Sequence, residues 1–351
     1  MKQIVLVIVT FLVSLVFIGC QKSSSSDTIS GTTPTTTNPN ASIYVSGFEY
    51  NTAGIAVAKI WKDSTQISLT DGTKSAEASC VYVSQNDIYA SGNEKNSAGV
   101  YVAKYWKNGV ATTLSNGIYE SSATTIFVNN NDVYATGYEV NASGNTVAKF
   151  WKNGVATDLT DGTSLGYASC VFVNGTDVYV TGHDSNPSGT PIGKIWKNGT
   201  IINSKDATIN ALMNSIFVSN NDIYVAGYEP NSSNIPVAKY WKNGVETVLT
   251  DGKTLASVRK IVMSNNDVYT CGFQTTITNS SDAKFWKNGA LSLSIPNVRF
   301  MSLAVFGSDM YIVGNKIISN SPDVATIWKN GVATSLTDGS KSANALSIFI
   351  K

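Results

Sequence analysis

The sequence predicts an all-β protein, a seven-bladed β-propeller built of four-stranded antiparallel blades. Three observations predict this fold: a phrase that recurs at an almost constant spacing, strand and turn signals that divide each repeat into four short strands, and chain ends that hold complementary parts of one repeat. A repeat period of this size is typical of solenoids and propellers. No helical periodicity of useful length follows residue 20.

The repeat is marked by a Trp in the phrase FWKNGVATDLTDG, residues 150–162, and in its relatives. Successive copies of this Trp lie 45 residues apart five times and then 42 residues apart. Because a residue present in every copy serves the blade rather than a unique site, we interpret these Trp residues as structural. They are Trp61, Trp106, Trp151, Trp196, Trp241, Trp286 and Trp328.

Each repeat divides into four short strands. In one copy they are ATTIFV (123–128), DVYATGYE (132–139), TVAKFW (146–151) and VATDLT (155–160). Asn-Gly between the third and fourth strands predicts a type I′ hairpin, since both residues accept a positive φ. The Gly that closes each second strand indicates a bend or a close backbone approach. Units of this kind, arranged radially, form propeller blades.

The two chain ends predict how the ring closes. The chain enters the repeat at SIYVSGFE (42–49), a second strand, and leaves it at ALSIFIK (345–351), a first strand. Pairing these segments completes the seventh blade and leaves no sheet edge open at the axis. An open solenoid would instead need capped ends.

The pattern resembles WD40-type and kelch-type propeller repeats. The phrase NDVYATGYEVNASGNTVAKFWKNGVATDLT (131–160) is similar to the second-to-fourth-strand phrase of WD40 repeats, with Trp151 in the place of the family's Trp. Asp does not follow this Trp, and both the closing Gly-His pair and the double Gly of kelch repeats are absent. The resemblance therefore covers residues 42–351 in architecture only and implies no partner or activity.

The N-terminus predicts export. Lys2 precedes an apolar run from Ile4 to Ile18, which is shorter than the roughly 20 residues of a membrane helix and suits a signal-peptide core. The following VFIGC resembles the lipobox of bacterial lipoproteins. This resemblance implies a signal peptide over residues 1–19 and lipidation, of the palmitate type, at Cys20. The alternative is an ordinary secretion signal with an incidental Cys.

Residues 20–41 form a Ser/Thr-rich segment that cannot bury enough apolar surface to order itself, so we expect a flexible tether. In the lipoprotein resemblance, Gln21 in place of Asp favours the outer membrane. We therefore expect a lipid-anchored protein of the bacterial cell envelope, with residues 42–351 as its propeller domain.

Composition narrows the function. A net charge of +1 with 14% charged residues gives no field that would gather nucleic acid. The chain has one His and no His or Cys pair at ligand spacing, so we predict no metal site and no cofactor. Three Cys are interpreted as small, buried, unbonded residues: Cys80, Cys170 and Cys271.

The two faces of the propeller should differ. The loop face, as we name it, carries the second-to-third and fourth-to-first strand loops, and the turn face carries the tight turns. Variable loops on a rigid scaffold often bind partners, so we expect the binding site on the loop face. An acid there follows the second-strand Gly in five blades, and a Lys lies two residues before the Trp in six. Ion pairs between the two are favoured over an acidic ring that binds cations.

Residues that break the sevenfold pattern are the candidate site. Arg259, Lys260 and Arg299 fall on the first strands of consecutive blades, which places cations near the axis. They could bind a carboxylate, sulfate or phosphate. In the alternative they are solvated or ion-paired, and Glu77, at the repeat position of Arg299, is a candidate partner.

Three further residues complete the candidate set. His183 stands where the other blades have an aromatic residue or Asn, so it is either a ligand contact or an aromatic substitute. Tyr119 and Tyr167 lie before or at the start of first strands and could stack on a sugar.

From these observations we expect a monomeric envelope or surface protein whose propeller is a non-catalytic binding or scaffolding module. Its ligand would be a glycan, a peptide or an envelope protein on the acidic loop face. The alternatives are a glycan-acting enzyme with its site at the axial mouth and a purely structural spacer. The enzyme alternative is less favoured, because no catalytic base with a nucleophile partner breaks the symmetry.

Overall fold

The computed structural model describes residues 41–63, 65–204, 211–277, 280–318 and 321–351, without the side chains of residues 203–204. The predicted signal peptide, Cys20 and all but the last residue of the predicted tether lie outside the described residues. The described residues form 28 strands. No helix in this part of the chain is long and apolar enough to cross a membrane.

The strands form seven four-stranded antiparallel sheets, as predicted. The first, innermost strands of blades 2 to 7 and then of blade 1 are β4 (Ala76–Ser84), β8 (Ser121–Asn129), β12 (Gly166–Asn174), β16 (Leu212–Ser219), β20 (Ala256–Ser264), β24 (Val298–Phe306) and β28 (Ala343–Ile350). The second strands of blades 1 to 7 are β1 (Ile43–Tyr50), β5 (Asp87–Lys95), β9 (Asp132–Val140), β13 (Asp177–Ser185), β17 (Asp222–Pro230), β21 (Asp267–Thr275) and β25 (Asp309–Lys316).

The outer half of each blade is a hairpin. The third strands are β2 (Ala56–Lys62), β6 (Tyr101–Lys107), β10 (Thr146–Lys152), β14 (Pro191–Lys197), β18 (Pro236–Lys242), β22 (Ser281–Lys287) and β26 (Val324–Lys329). The fourth strands are β3 (Thr65–Ser68), β7 (Val110–Thr113), β11 (Val155–Asp158), β15 (Thr200–Ser204), β19 (Val245–Val248), β23 (Ala290–Pro296) and β27 (Val332–Ser335).

The ring closes as the chain ends predict. β28 pairs with β1 in antiparallel register, with Val45 opposite Ile348, and it contacts the innermost strands on both sides, β24 and β4. The backbones of Ser42 and Lys351 exchange two hydrogen bonds of 2.8 and 3.0 Å. Blade 1 is therefore completed by both ends of the propeller domain.

The Asn-Gly turns have the predicted conformation. Asn153 and Gly154, between β10 and β11, have φ of 52° and 84°. The Asn153 side chain also accepts a hydrogen bond from the Val133 amide at 2.8 Å and donates one to Asp132 at 2.7 Å. Each phrase thus builds a hairpin and fastens it to the start of the second strand.

The repeated Trp residues fill the interfaces between blades. Trp106 is 1% exposed and packs with Ala58 and Ile60 of the preceding blade, and Trp328 packs with Phe285 in the same way. Truncating an aromatic side chain in such a core costs about 3–5 kcal/mol. Their buried position between blades fits the interpretation that the repeated Trp residues are structural.

Every innermost strand has a β-bulge beside the second-strand Gly. In blade 2 the register between β4 and β5 slips between Ala78 and Cys80, opposite Gly92. A Cβ added to Gly92 would lie 1.9 Å from the Glu77 carbonyl oxygen, so only Gly allows this approach. Bulges re-aim side chains, and here the bulged residue of each blade is turned towards the axis.

The repeated acids and lysines form ion pairs within each blade, as favoured from the sequence. The five pairs have nitrogen–oxygen distances of 2.6 to 3.3 Å: Glu49–Lys59, Glu94–Lys104, Glu139–Lys149, Asp184–Lys194 and Glu229–Lys239. In blade 7, where the acid is Lys316, the place of the lysine is taken by Thr326, whose hydroxyl donates to the Val324 carbonyl at 2.9 Å. These five acids are therefore neutralised by lysines of their own blades.

The cysteine prediction needs one correction. Cys80, Cys170 and Cys271 are free, as expected, and the last two are buried. Cys80 is only half-buried, although Cys170, which also follows a bulge and lines the same cavity, is buried.

Candidate functional site

The candidate site is a polar chamber of about 280 Å³ on the propeller axis. Two rings of residues, one from each innermost strand per ring, line it. The bulge ring consists of Ser79, Thr124, Ser169, Asn214, Arg259, Met301 and Leu346. The waist ring, formed by the next residue of each strand, consists of Cys80, Thr125, Cys170, Ser215, Lys260, Ser302 and Ser347.

A third ring surrounds the mouth of the chamber on the loop face. Each member lies two residues before the bulged residue of its innermost strand. It pairs with the residue that directly follows the Gly of the second strand in the same blade. The members are Glu77, Ser122, Tyr167, Leu212, Ser257, Arg299 and Asn344. Only Glu77, Ser122 and Tyr167 of this mouth ring also line the chamber.

The predicted cations meet at the axis. Arg259 and Lys260 line the chamber, and Arg299 lies in the mouth ring of the next blade. The Arg259 guanidinium lies 5.3 Å from the Phe273 ring centroid, in cation–π range. Its pKa is lowered, first because the surrounding protein displaces water and second because Arg299 is close. The group is nevertheless exposed to the water of the channel.

These cations have no carboxylate partner. Among the described residues, no Asp or Glu lies within ion-pair distance of Arg259, Lys260 or Arg299, whereas the five repeated lysines named above are each paired with an acid of their own blade. Glu77, the candidate partner, instead accepts a hydrogen bond from Asn93 at 3.0 Å, so the proposed ion pair is not formed. The chamber is therefore lined by two cations of blade 6 that have no ion-pair partner and by the Glu77 carboxylate of blade 2, and Arg299 of blade 7 adds a third unpaired cation in the mouth ring.

His183 supports Tyr167 rather than lining the chamber. The two rings stack at 5.8 Å with an interplanar angle of 10°, and Tyr138 stacks on the other side at 5.2 Å. Burial lowers the pKa of His183 to about 4, although Asp184 opposes the shift. Burial also raises the pKa of Tyr167. Both side chains are therefore neutral at pH 7, and His183 fits the aromatic-substitute alternative.

Tyr119 is not brought to this site. It lies on the loop between β7 and β8, is 40% exposed, and does not line the chamber.

A second cavity of about 260 Å³ continues the channel towards the turn face. The two cavities share waist-ring residues, including Cys80, Lys260 and Ser347. Two residues beyond the waist ring, five blades present an aromatic ring to this cavity; we name these rings the aromatic collar. They are Tyr82, Phe127, Phe172, Phe217 and Phe349.

The sequence interpretation missed the collar. Its signal was present, because Tyr82, Phe127, Phe172 and Phe217 recur every 45 residues. The first strands, however, are apolar on both sides, so these rings were not distinguished from the interblade core.

Possible metal ligands are not clustered in the described residues: no three His, Cys, Asp or Glu side chains there could hold an ion together.

Comparisons with known proteins identify the fold. Neither a protein-family model nor a curated protein matches the chain. The solved structures that are similar to it include three with a TM-score above 0.5. The β-propeller domain of the Trilobed protease from Pyrococcus furiosus has 12% identity over 85% of this chain and 92% of that chain, with a TM-score of 0.53.

The other two are peptidases. The acylaminoacyl peptidase of Pyrococcus horikoshii has 14% identity over 86% of this chain and 51% of that chain, with a TM-score of 0.53. The puromycin-hydrolyzing peptidase of Mycobacterium tuberculosis has 7% identity over 83% and 53%, with a TM-score of 0.52. This chain thus spans about half the length of both peptidases. At these identities the likeness shows the fold.

The Trilobed protease propeller is described as an open velcro. Here β28 and β1 close the ring within one blade. The two propellers therefore differ in how their ends are joined.

The prediction of a non-catalytic binding or scaffolding module is wrong. It is contradicted by the three similar structures, which are a protease propeller domain and two peptidases. The two alternatives, a glycan-acting enzyme and a spacer, have no counterpart among these three structures.

Proposed function

We propose that the protein is the substrate-admitting component of a peptidase system. In this role the axial channel receives the C-terminal end of a peptide, and the cations of blades 6 and 7 hold its carboxylate. One observation carries the proposal: Arg259 and Lys260 face a chamber on the axis, Arg299 stands at its mouth, and no carboxylate of the described residues neutralises them.

The chemistry of the chamber suits a carboxylate. Guanidinium groups bind carboxylates through two parallel hydrogen bonds, and Lys adds a compact charge. Tyr167 and His183 on blade 4 are neutral at pH 7. Glu77 on blade 2 also lines the chamber, but it accepts a hydrogen bond from Asn93 and forms no ion pair with the cations. A free peptide carboxylate would supply the missing anion.

The size of the channel limits what can enter. The chamber has a volume of about 280 Å³. That space fits a short extended segment and excludes a folded protein. The waist ring continues into the second cavity, so such a segment could extend further along the axis.

The histidine of the chain does not have the environment of a catalytic base. His183, the single histidine of the sequence, is packed against Tyr167 with its pKa held near 4. A general base for acyl transfer must reach its nucleophile and accept a proton near neutral pH. His183 meets neither requirement.

We further propose that the protein acts as a monomer in the bacterial cell envelope, anchored to the outer membrane by a lipid on Cys20. The VFIGC segment and the Ser/Thr-rich residues after it support this location. The similarity to WD40-type and kelch-type repeats remains a resemblance in architecture.

Calorimetric titration of the full-length protein, purified in detergent, tests the proposal. The probes are acetyl-Gly-Ala-Phe with a free carboxylate and the same peptide as its amide. We expect the free acid to bind at least tenfold more tightly, which corresponds to about 1.4 kcal/mol. The double variant Arg259→Ala, Arg299→Ala should lose this preference.

The matched control is Lys253→Ala, which removes an exposed cation from the loop before β20 without touching the channel. It should keep the preference for the free acid. Equal binding of acid and amide by the unaltered protein, or no binding of either, would overturn the proposal.

A further inference from the structure

The aromatic collar forms a nearly continuous apolar wall around the turn-face end of the channel. Neighbouring ring centroids lie 4.8 Å apart for Phe349 and Tyr82, 4.8 Å for Tyr82 and Phe127, 5.4 Å for Phe127 and Phe172, and 4.8 Å for Phe172 and Phe217. These distances lie in the range of favourable aromatic pairs. All five side chains are half-buried, so each keeps a surface towards the cavity.

The collar is interrupted where the channel is charged. The collar positions of blades 6 and 7 hold Val262 and Ala304 instead of aromatic residues. These are the blades that supply Arg259 and Lys260 and, at the mouth, Arg299. The channel thus has a cationic side on two blades and an aromatic arc on the other five.

Lys260 connects the two parts, because it lines both cavities. Val262 is two residues further along β20, so its side chain points to the same side of the strand, about 7 Å nearer the turn face. This separation matches the distance from a terminal carboxylate to the side chain of the same or the preceding residue. One ligand can therefore reach the cations and the collar together.

We propose that the collar is the subsite for an aromatic or large aliphatic side chain at or next to the C-terminus of the bound peptide. This inference rests on the proposed function and narrows its substrate class to peptides that end in an apolar residue with a free carboxylate. It also fixes their direction: the carboxylate lies towards the loop face and the apolar side chain towards the turn face.

The positive charges of the channel favour a peptide C-terminus over a purely apolar partner as the occupant of the collar. A purely apolar partner would leave the cations unpaired beside it, whereas a C-terminal apolar residue satisfies both sides of the channel. A fatty acid has the same two features, so the experiment includes one.

A double-mutant cycle between ligand and protein tests the collar. Acetyl-Gly-Phe and acetyl-Gly-Gly, both as free acids, are titrated into the full-length protein and into Phe217→Ala and Phe217→Leu. We expect Phe in the ligand to improve the dissociation constant at least tenfold in the unaltered protein and less than threefold in Phe217→Ala. Phe217→Leu keeps most of the apolar volume and should give an intermediate value.

Tyr50→Leu is the matched control, because it removes an aromatic ring that is 38% exposed and lies outside both cavities. It should leave the ligand preference unchanged. Thermal melting of each variant checks that the propeller is folded.

The outcomes separate this inference from the proposed function. If the free acid is preferred over the amide but Phe and Gly ligands bind alike, the collar assignment is wrong and the proposed function stands. If 3-phenylpropionate binds in a Phe217-dependent manner while no peptide binds, the collar is supported as an apolar-anion subsite and the proposed function fails. Binding of octanoate more than tenfold tighter than acetyl-Gly-Phe would overturn the peptide as occupant.

Discussion

The substitution Gly272→Ala should disable the candidate site without changing any residue that lines it. Gly272 on β21 lies opposite the bulge of β20 that contains Arg259. A Cβ at this position would lie 2.0 Å from the Ser257 carbonyl oxygen and 2.9 Å from the Val258 Cα. Both are backbone atoms, so no side-chain rotation can relieve the contact.

The magnitude follows from the displacement required. An ordinary Cβ contact needs about 3.4 Å, so the strands must separate by about 1.4 Å here. Backbone hydrogen bonds near 2.9 Å do not survive such a shift. Losing about two of them, at about 1 kcal/mol each, and overpacking the site, at about 1–3 kcal/mol, gives a total of about 3–5 kcal/mol. At about 2–3 °C per kcal/mol for a large domain, Tm should fall by about 6–15 °C.

The assay combines thermal unfolding, followed by far-UV circular dichroism, with titration of the acid and amide peptides. Gly137→Ala is the matched control: its Cβ would lie 1.9 Å from the Ser122 carbonyl oxygen, on a blade without channel cations. Both variants should lose similar stability, but only Gly272→Ala should lose the preference for the free acid. A Tm within 2 °C of the unaltered protein would refute the steric reasoning. If Gly272→Ala is destabilised but keeps the preference for the free acid, the bulge does not determine the orientation of the Arg259 side chain.

Three further predictions concern the fold. Deleting residues 345–351 should open blade 1 and expose the interblade core, so we expect aggregation on gel filtration rather than the single monomer peak of the intact chain. Lys316→Glu combined with Thr326→Lys should recreate the blade ion pair; each single change should lower Tm, and their coupling should be about 0–1 kcal/mol, with purely additive effects contradicting it. The pKa of His183 falls from its ordinary 6.5 to about 4 on folding, so the unfolded chain binds the proton first and stability should decrease as pH falls from about 6.5 to 4. His183→Phe should show a smaller drop in Tm between pH 7 and pH 5, and an equal drop would contradict the assignment.

The architecture could be predicted from sequence because its signals are local and repeated. Asn153-Gly154 specifies a hairpin by itself, and the spacing of Trp61 and Trp106 fixes the size of a blade. Closure could also be predicted, since the chain ends carry recognisable strand types. The seven repeats can also be compared with one another, which separates residues common to all blades from residues found in one blade.

The channel could be predicted only in part, because the bulge changes which residues face it. In a regular strand Arg259 and Lys260 would point to opposite faces. In the structure both line the chamber, because the bulge at Arg259 shifts the register with β21 by one residue. A bulge has no clear signature in a first strand, although Gly272 marks its position from the neighbouring strand. His183 and Tyr167 lie on two different strands. Their stacking therefore could not be derived from the spacing of residues in the sequence either.

The unpaired cations lead to a last prediction, in which stability and binding change in opposite directions. The channel wall removes part of the water around Arg259, and the nearby charge of Arg299 adds repulsion; both lower its pKa, so folding disfavours its charged form. Because Arg259 remains exposed to the channel water, screening keeps this effect small. Thr124 occupies the same bulge position in blade 3, so this position accepts a small polar residue. Arg259→Thr should therefore raise Tm by about 1–3 °C, for a gain of about 1 kcal/mol or less, despite losing the contact with Phe273. The same variant should lose the preference for a free carboxylate at least tenfold. A structural role for Arg259 predicts the opposite sign for Tm, so a variant that melts earlier than the unaltered protein would show that the guanidinium stabilises the ring instead of serving a ligand.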